Sequence, residues 1–283
     1  MSASVLRFGQ HRVQGRAAVR FKYDCVQTRL DHLYQSDPLR LLFPLPERDE
    51  PLTTVLTTTS GGLVGGDELD IEITTLAGAQ GLAMAQAAEK IYGSNGPDCN
   101  VTLRLNAHDG ARLEWLPQES ILFDQARLRR HTDLYTAGSG EILAGEMLTF
   151  GRMAMGERVR SGLARDAWTL SDDAAVVWRD ALHMEGDVAE ILADPACFDG
   201  AQAAGSIVHV GPDYVATARE ILAQLKLPEE VLAAAGRVAE RVNLIRWLGR
   251  DAQQMRKAYG AFWKAYRHQV WQRPEKLPRL WEI

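Results

Sequence analysis

Short segments of alternating or β-branched residues fill the first part of the chain and predict strands. Glycine, asparagine, aspartate and proline separate these segments at intervals of roughly 8 to 20 residues, a spacing typical of a β-sandwich, a barrel or a helix-like stack of strands. The pattern does not fit a chain of alternating strands and helices. The clearest predicted strands are 18–23, 53–59, 69–76, 101–105 and 127–135.

Helical periodicity appears only after residue 210. Asp213 follows Gly211 and Pro212, and it predicts the N-terminal cap of a helix that ends before Pro228. A second helix is predicted from Asp251 to Trp271, where apolar residues three or four positions apart form one stripe that can pack on the strands. The segment 239–248 between them is ambiguous, and we interpret it as a strand.

These elements predict a mainly β protein. The expected fold is a helix-like stack or sandwich of many short strands with two α-helices near the C-terminus. No glycine-rich or proline-rich linker divides the chain. We therefore predict a single domain over residues 1–283, with a β-rich body at about 1–210 and a helix-containing portion at about 211–283.

The composition, with 46% hydrophobic and 24% charged residues, is typical of soluble globular proteins. No segment approaches the roughly 20 apolar residues of a membrane span, and the first residues do not have the pattern of a secretory signal. We expect a soluble, cytoplasmic protein with no membrane association. The 3 cysteines and 7 histidines are scattered, without the spacing of a disulfide framework or of a tight metal site.

Charge is distributed unevenly along the chain. From Arg237 onward there are 11 Lys and Arg against 4 Asp and Glu, whereas the whole chain carries a net charge of -5. Because the basic tail is rich in tryptophan, tyrosine and phenylalanine and the whole protein is acidic, it favours a protein partner over nucleic acid. Arg256, Trp263 and Arg267 are candidate partner-binding residues along one line of the second helix. The alternative is that Trp263 only widens the stripe that faces the core.

Four of the six residues from Gly61 to Gly66 are glycine. A phosphate-binding loop would need a following Gly-Lys-Ser/Thr and then a helix, and this segment has strands predicted on both sides. A tight double turn explains most of the glycines, although not their density. Asp67 and Glu68 then become turn acceptors or surface charges.

Two further segments combine acids with turn residues. Glu114 and Glu119 lie in the run 113–123, and a carboxylate pair of this kind serves glycoside hydrolysis in some enzymes. Ser120 and His131 could form a hydrolase pair, but no Gly-x-Ser-x-Gly elbow is present. A β-sandwich hydrolase or a carbohydrate-binding module therefore stays an alternative. In the second segment, 145–157, acids flank Arg152, as a buried arginine requires.

Several segments in this order resemble the urease accessory protein family UreD, also called UreH. They are Gly61–Asp67, Lys90-Ile91-Tyr92, Leu113–Glu119, Gly151–Glu157 and Pro278-Arg279-Leu280-Trp281. The resemblance covers nearly the whole chain and rests on the joint occurrence of these segments. It implies a non-catalytic urease maturation factor, a scaffold and metallochaperone that docks on apo-urease together with UreF and the GTPase UreG. UreF is then the expected partner of the basic C-terminal helix.

The resemblance also implies an internal polar tunnel for nickel. The tunnel candidates that it indicates are Asp67, Glu68, Lys90, Glu146, Arg152 and Glu157. Weak, transient nickel binding is expected at Asp67, Glu68 and Glu146, with no tightly bound cofactor, since sparse carboxylates release the ion more readily than a Cys/His cluster does. Because Arg152 would repel a cation, we assign it to orienting Glu146 or Glu157.

One segment departs from the family pattern. Relatives can carry a glutamate followed by an arginine in the region where this chain has Val177-Trp178-Arg179-Asp180. Asp180 is the candidate replacement for that acid. GTP hydrolysis would come from a partner, because this chain has no nucleotide-binding loop.

Overall fold

The computed structural model describes residues 12–45, 47–173 and 175–282. In chain order the strands are β1 (Gln14–Tyr23), β2 (Thr28–Gln35), β3 (Leu39–Leu42), β4 (Leu52–Thr58), β5 (Glu68–Thr75), β6 (Gln80–Ala85), β7 (Glu89–Ile91), β8 (Cys99–Ala107), β9 (Arg112–Leu116), β10 (Ser120–Leu122), β11 (Arg127–Thr136), β12 (Glu141–Phe150), β13 (Ser161–Ser171), β14 (Val176–Asp187), β15 (Ala203–Val210), β16 (Val231–Ala239) and β17 (Val242–Gly249). The α-helices are α1 (Val188–Ala193), α2 (Val215–Gln224) and α3 (Ala252–Trp271). Short 3-10 helices span Met153–Met155 and Arg279–Trp281.

The chain visits two sheets in turn. Within the described residues the first sheet has the order β14-β13-β11-β8-β5-β1-β2, and the main path of the second has the order β16-β17-β15-β12-β9-β6-β4-β3. From β4 to β13 the chain crosses repeatedly between the sheets. As a result, β4, β6, β9 and β12 follow one another in parallel in the second sheet, and β5, β8, β11 and β13 do so in the first. This winding confirms the predicted helix-like stack of strands.

Alternation along each strand builds the core between the sheets. On β11, Leu128 and Leu134 are buried in the same phase, whereas the alternate residues Arg129, His131 and Asp133 face outward. On β12, Ala144, Leu148 and Phe150 take the corresponding positions on the second sheet. Any polar residue in phase with these positions must therefore lie between the sheets.

The other face of the second sheet is covered by α2 and α3. Leu143 and Met147 of β12 contact a second apolar cluster that includes Tyr259 and Trp263 of α3. Gly145 lies between them, where a Cβ atom would collide with the Tyr259 hydroxyl. Strand β12 is therefore buried on both faces, which explains why its sequence lacks a simple polar alternation.

The predicted strands and C-terminal helices are confirmed, with differences at their ends. Asp251 caps α3 as expected, since its carboxylate accepts the Gln254 N–H. Asp213 is not the N-cap of α2, which is Tyr214, but its carboxylate accepts the Val215 N–H. The ambiguous segment 239–248 is mostly β17. Helix α1 was not predicted, although Asp187 caps it through the Glu190 N–H.

The glycine-rich segment 61–66 is a crossing between the sheets that packs against the next turn of the stack. A Cβ atom at Gly62 would lie 2.5 Å from the Tyr92 ring, and one at Gly65 would collide with Ser94. Leu63 bridges to Ile91 in the same place. Close packing thus accounts for Gly62 and Gly65, whereas Gly61 and Gly66 have positive φ angles of 77° and 99°, which favour glycine.

In the part of the chain that the structure describes, we find no helix with the length and apolar character needed to cross a bilayer.

Candidate functional site

A cluster of charged side chains lies between the two sheets. Arg130 of β11 donates from Nε and Nη2 to the carboxylate of Asp166 on β13, at 3.0 and 3.1 Å. Its Nη1 lies 2.7 Å from Glu146 Oε2 on the facing strand β12 and 3.0 Å from Ser120 Oγ. Arg130, Asp166 and Glu146 are all buried. One guanidinium therefore joins the two sheets through two carboxylates.

A second group continues this cluster across the second sheet. Glu146 is the register partner of Ser206 on β15, and Ser206 is in turn the register partner of Arg246 on β17. Arg246 donates to Ser206 Oγ at 2.9 Å and pairs with Asp180 of the first sheet. We call Arg130, Glu146, Asp166, Asp180, Ser206 and Arg246 the polar layer. It contains three acids and two arginines.

Two cavities meet at Glu146. The first, about 320 Å³, extends between the sheets, where Trp115, Arg130 and Glu146 line it, to Gly62 and Lys90. The second, about 280 Å³, lies on the other side and is lined by Glu146, Asp166, Ser206 and Arg246. Glu146 is therefore the residue of the polar layer that lines both cavities.

Glu146 combines deep burial with incomplete hydrogen bonding. Its side chain is 3% exposed, and Oε2 accepts no hydrogen bond of good geometry despite its closeness to Arg130. Burial raises the pKa of Glu146, the Arg130 guanidinium opposes the rise, and the Asp166 carboxylate adds to it. The indole N–H of Trp115, which lines the first cavity, makes no hydrogen bond of good geometry, but it lies close enough to this carboxyl to oppose the rise of its pKa. The cavity thus presents polar atoms to whatever occupies it.

The raised pKa of Glu146 predicts a dependence of stability on pH. Because the carboxyl holds its proton more tightly in the folded protein, the native chain should lose stability as the pH rises from the ordinary value of 4.5 through the raised pKa. The Glu146→Gln variant lacks this titration. We therefore expect its melting temperature, relative to the native protein, to increase with pH over that range. Melting curves that stay parallel would contradict the burial effect.

Lys90 and Glu89 lie at the outer end of the first cavity. Lys90, one of the predicted tunnel residues, is exposed and lines this cavity. Burial raises the pKa of the neighbouring Glu89, whose Oε2 accepts the Thr58 hydroxyl at 2.6 Å. An acid and a base therefore flank this end of the cavity.

Asp67 and Glu68 line neither cavity. Asp67 is buried, and its two oxygens accept the Val64 N–H at 2.9 Å and the Val13 N–H at 3.2 Å. Glu68 is exposed and accepts from Gln14. The nickel role proposed for both is therefore not supported by their positions. Asp67 closes the glycine-rich turn.

Replacing Asp67 with alanine should cost stability through the turn. Hydrogen bonds to a charged acceptor are each worth about 1.5–3 kcal/mol, so we expect a loss of at least about 2 kcal/mol. Urea unfolding followed by circular dichroism measures the change. Glu68→Ala is the matched control and should change stability by less than about 0.5 kcal/mol. Equal stability of the two variants would refute the structural role of Asp67.

Arg152 and Glu157 form a pair at the surface. Arg152 Nε lies 2.6 Å from Glu157 Oε2, and its guanidinium lies over the Phe123 ring. Arg152 therefore contacts Glu157, one of the two acids that it was expected to orient, whereas the partner of Glu146 is Arg130. Neither Arg152 nor Glu157 lines the two cavities.

Comparison with known proteins identifies the family. A family model described as UreD urease accessory protein matches residues 13–282. The chain belongs to this family. A relative from Magnetococcus marinus, which is named urease accessory protein UreD, is 44% identical over 96% of this chain and 94% of its own length. One from Xanthobacter autotrophicus is 35% identical over 96% of this chain and 91% of its own length. Bradyrhizobium sp. strain ORS 278 has a relative, UreD 1, that is 39% identical over 71% of this chain and 72% of its own length.

Membership makes this UreD family member an accessory protein rather than an enzyme. The geometry of the hydrolase candidates agrees. Glu114 is bound to Arg267 and Trp263 in the interior, whereas Glu119 pairs with Arg256. In residues 12–45, 47–173 and 175–282, no three or more His, Cys, Asp or Glu side chains are grouped so that they could hold a metal ion.

Ser120 and His131 do not form the predicted hydrolase pair. His131 contacts Asp133 and Thr169 on the outer face of the first sheet. Ser120 is instead an acceptor for Arg130. Ser120 meets Arg130 between the sheets, whereas His131, the next residue on β11, points to the outer face. Ser120 and His131 therefore lie on opposite sides of the first sheet.

The predicted partner-binding line on α3 of this UreD family member is wrong in two of its three residues. Trp263 and Arg267 are fully buried. Trp263 donates to Glu114, and Arg267 is held by Glu50 and Glu114. The alternative, that Trp263 extends the core-facing stripe, is confirmed. Only Arg256 keeps exposed atoms, and it binds Glu119 and the carbonyl oxygen of Trp281.

The aromatic residues of the basic tail are likewise interior rather than a partner surface. They are Trp247, Tyr259, Phe262, Trp263, Tyr266, Trp271 and Trp281, and all are buried in the cluster between the second sheet and the helices. Their density reflects a helical layer that packs on a sheet, where large rings fill the space.

Sequence reasoning missed Arg130, Asp166 and Arg246 as site residues. A signal for the first two was present. Arg130 is in phase with Leu128 and Leu134, and Asp166 is in phase with Ala164 and Trp168. A charged residue in the apolar phase of a strand indicates a buried ion pair. No comparable signal marks Arg246.

Proposed function

We propose that this UreD family member helps to mature urease by letting nickel pass through the protein, from the first cavity to the second, by way of the polar layer. The observation that carries the proposal is that both cavities are lined by Glu146, a buried carboxyl whose Oε2 lies 2.7 Å from Arg130 and accepts no hydrogen bond of good geometry. The ion is the cargo and is not held at rest.

Transfer of a dication through protein needs oxygen atoms along the path. Moving even a singly charged ion into a low-dielectric interior costs on the order of 20 kcal/mol in the idealised case. Glu146, Asp166 and Ser206 supply oxygens, and nickel stands high in the order of divalent affinities for such ligands. Because burial raises the pKa of Glu146, its carboxyl can release a proton when a cation arrives and regain it when the cation leaves.

The arginines prevent the carboxylates of the passage from forming a tight metal-binding site. Arg130 occupies both oxygens of Asp166 and Arg246 pairs with Asp180, so the carboxylates are not collected around one point. Asp180, the candidate replacement for the acid expected at 177–178, thus acts through Arg246. Arg130 takes the orienting role that the sequence assigned to Arg152.

The expected partners are apo-urease, UreF and the GTPase UreG. We propose that GTP hydrolysis by UreG drives delivery and that the complex works in the cytoplasm. Three unpaired cysteines are in keeping with a reducing compartment. Arg256 remains the candidate for contact with UreF. It lines a surface groove that shares Gln86, Ala87, Ala88 and Gln118 with the first cavity, so a partner in that groove would adjoin the passage.

Co-expression with urease tests the proposal. Glu146→Ala should abolish urease activity and nickel content while UreF and UreG still co-purify with the variant. Glu68→Ala is the matched control, because Glu68 is an exposed acid outside both cavities, and it should support full activity. Full activity with Glu146→Ala would show that the ion takes another route. Loss of the complex would show that Glu146 acts in assembly instead.

A further inference from the structure

The first sheet ends at strand β2, whose outer edge has no strand beside it. In the part of the chain that the structure describes, β2 pairs only with β1, so one side of its backbone presents N–H and C=O groups without strand partners. Leu30 and Leu33 of β2 are each 40% exposed, and Tyr34 is 48% exposed. An edge strand with exposed apolar side chains is a place where another strand can add to the sheet.

The register with β1 shows that the two leucines face inward. Leu30 and Leu33 are the register partners of Phe21 and Val19, which are buried between the sheets. Residues directly opposite each other on antiparallel strands point to the same face. The leucines are nevertheless exposed because β2 is the last described strand of its sheet, so this end of the apolar core is uncovered.

A β-bulge at Asp31 gives the middle of β2 a symmetric pattern. The register between the two strands shifts after Arg20, so Asp31 is an extra residue at this step. Its carboxylate pairs with Arg20 and Lys22 on the outer face. His32 is the register partner of Arg20 and also faces outward. From residue 30 to residue 33 the side chains therefore point inward, outward, outward and inward.

The ends of β2 extend this symmetry. Thr28 and Gln35 accept backbone N–H groups of β6 and β3 in the second sheet, so both side chains point inward. Arg29 and Tyr34 are paired with outward-facing positions of β1. Over residues 28–35 the pattern of inward and outward positions is therefore the same in both directions of the strand.

We propose that β2 pairs with β2 of a second copy of this chain, antiparallel about a two-fold axis that passes between Asp31 and His32. In this register every residue of β2 meets a residue that points to the same face. A shift by one residue in either direction would place inward side chains opposite outward ones. The pairs across the axis are Leu30 with Leu33, Asp31 with His32, and Arg29 with Tyr34.

The side chains in these pairs are chemically complementary. The leucines of the two copies form an apolar cluster of four that covers the open end of each core. The acid Asp31 meets the imidazole of His32, and the cation of Arg29 meets the ring of Tyr34, so no two like charges lie directly opposite each other. A bulge in an edge strand ordinarily hinders pairing, whereas this one restricts pairing to a single self-complementary register.

This interface leaves the second cavity free. Strand β2 lies at the opposite end of the first sheet from β13, whose Asp166 lines that cavity. The second cavities of the two copies would therefore lie at the outer ends of a continuous sheet. The inference does not depend on the proposed passage of nickel.

Disulfide cross-linking tests the register. Cys25→Ser with Cys197→Ser removes the exposed thiols, and Leu30→Cys and Leu33→Cys are each made in this background. Residue 30 of one copy lies opposite residue 33 of the other, whereas the two copies of residue 30 are about 10 Å apart along the strands. A disulfide needs Cα atoms less than about 7 Å apart. The purified full-length variants are oxidised with copper phenanthroline, separately and after mixing, and are separated by non-reducing electrophoresis.

We expect the mixture to form a disulfide-linked dimer and each variant alone to stay monomeric. Absence of a dimer in the mixture would overturn the inference. A dimer formed equally well by Leu30→Cys alone would also overturn it, because the proposed register holds these two residues apart.

Molar mass in solution provides the second test. Leu30→Glu with Leu33→Glu places acids opposite each other across the axis, so this variant should keep the mass of a single chain at concentrations where the native chain approaches twice that mass in light scattering. Leu232→Glu is the matched control and should behave like the native chain, because Leu232 is 64% exposed on β16, the edge strand of the second sheet. A native chain that stays monomeric, or a dimer that persists in the double variant, would contradict the proposed interface.

Discussion

Replacing Arg267 with alanine is expected to destabilise the protein by about 3–5 kcal/mol, enough to unfold many domains. Arg267 is fully buried on α3. Its Nη1 and Nη2 donate to Glu50 at 2.8 and 2.6 Å, and Nη2 also donates to Glu114 at 2.9 Å. Removal of the guanidinium leaves two acids without their counter-charge in the interior. It also frees the end of α3 from the loop before β4. Chemical unfolding followed by tryptophan fluorescence measures the loss.

An exposed ion pair provides the control. Arg250 pairs with Asp199, and their side chains are 59% and 57% exposed. Arg250→Ala should therefore change the free energy of unfolding by less than about 1 kcal/mol. Neutralising the acids, in Arg267→Met with Glu50→Gln and Glu114→Gln, should recover part of the loss, because no buried charge then remains unpaired. Similar losses for Arg267→Ala and Arg250→Ala would contradict this account of the helix contact.

Replacing Arg130 with methionine should also cost about 3–5 kcal/mol at neutral pH, and this loss should depend on pH and on metal. Without the guanidinium, Asp166 and Glu146 face each other as acids in the interior. Because Arg130 opposes the rise of the Glu146 pKa, that pKa should rise further in the variant, which then binds more protons when folded and regains stability as the pH falls. Nickel should restore stability at neutral pH, because an ion that binds only the folded state stabilises it.

The control for this variant is Arg104→Met. Arg104 pairs with Asp70 on the outer face of the first sheet, where the two side chains are 41% and 39% exposed. Its melting temperature should be close to that of the native protein and should not respond to nickel. If nickel fails to raise the melting temperature of Arg130→Met, the two acids are not accessible to a cation. The proposed role of Arg130 in preventing tight metal binding is then wrong.

Local pattern was sufficient to predict the strands and the two long helices, since alternation and helical periodicity are read from neighbouring residues. The partners of the strands were not predictable in this way. Strand β5 pairs with β1 and β8, whereas its neighbours in sequence, β4 and β6, lie in the other sheet. Such pairing depends on the winding of the whole stack. The single-domain assignment for 1–283 stays a prediction.

The site was predictable only in part, for the same reason. Glu146 was identified through the family resemblance, and the structure places it where two cavities adjoin. Arg267 was assigned to the surface because its partner Glu50 lies 217 positions away in the sequence. A charged residue beside an apolar helical stripe is ordinarily exposed. The ion pair with the distant acid Glu50 offsets the free-energy cost of burying Arg267. Asp67 has two interpretations in the sequence, because turn acceptors and metal ligands can have the same side chain, and the structure shows the hydrogen bonds of a turn acceptor.

The rate of nickel transfer to apo-urease through an obstructed passage tests the central claim most directly. Ala88 lines the first cavity and Ala204 lines the second, whereas Ala216 is exposed on α2 and lines neither. Each is replaced by tryptophan, and transfer is timed in complexes of equal recovery. The account predicts that Ala88→Trp and Ala204→Trp both slow transfer strongly and that Ala216→Trp transfers at the native rate. Native rates for either of the first two, in an intact complex, would contradict a passage through both cavities.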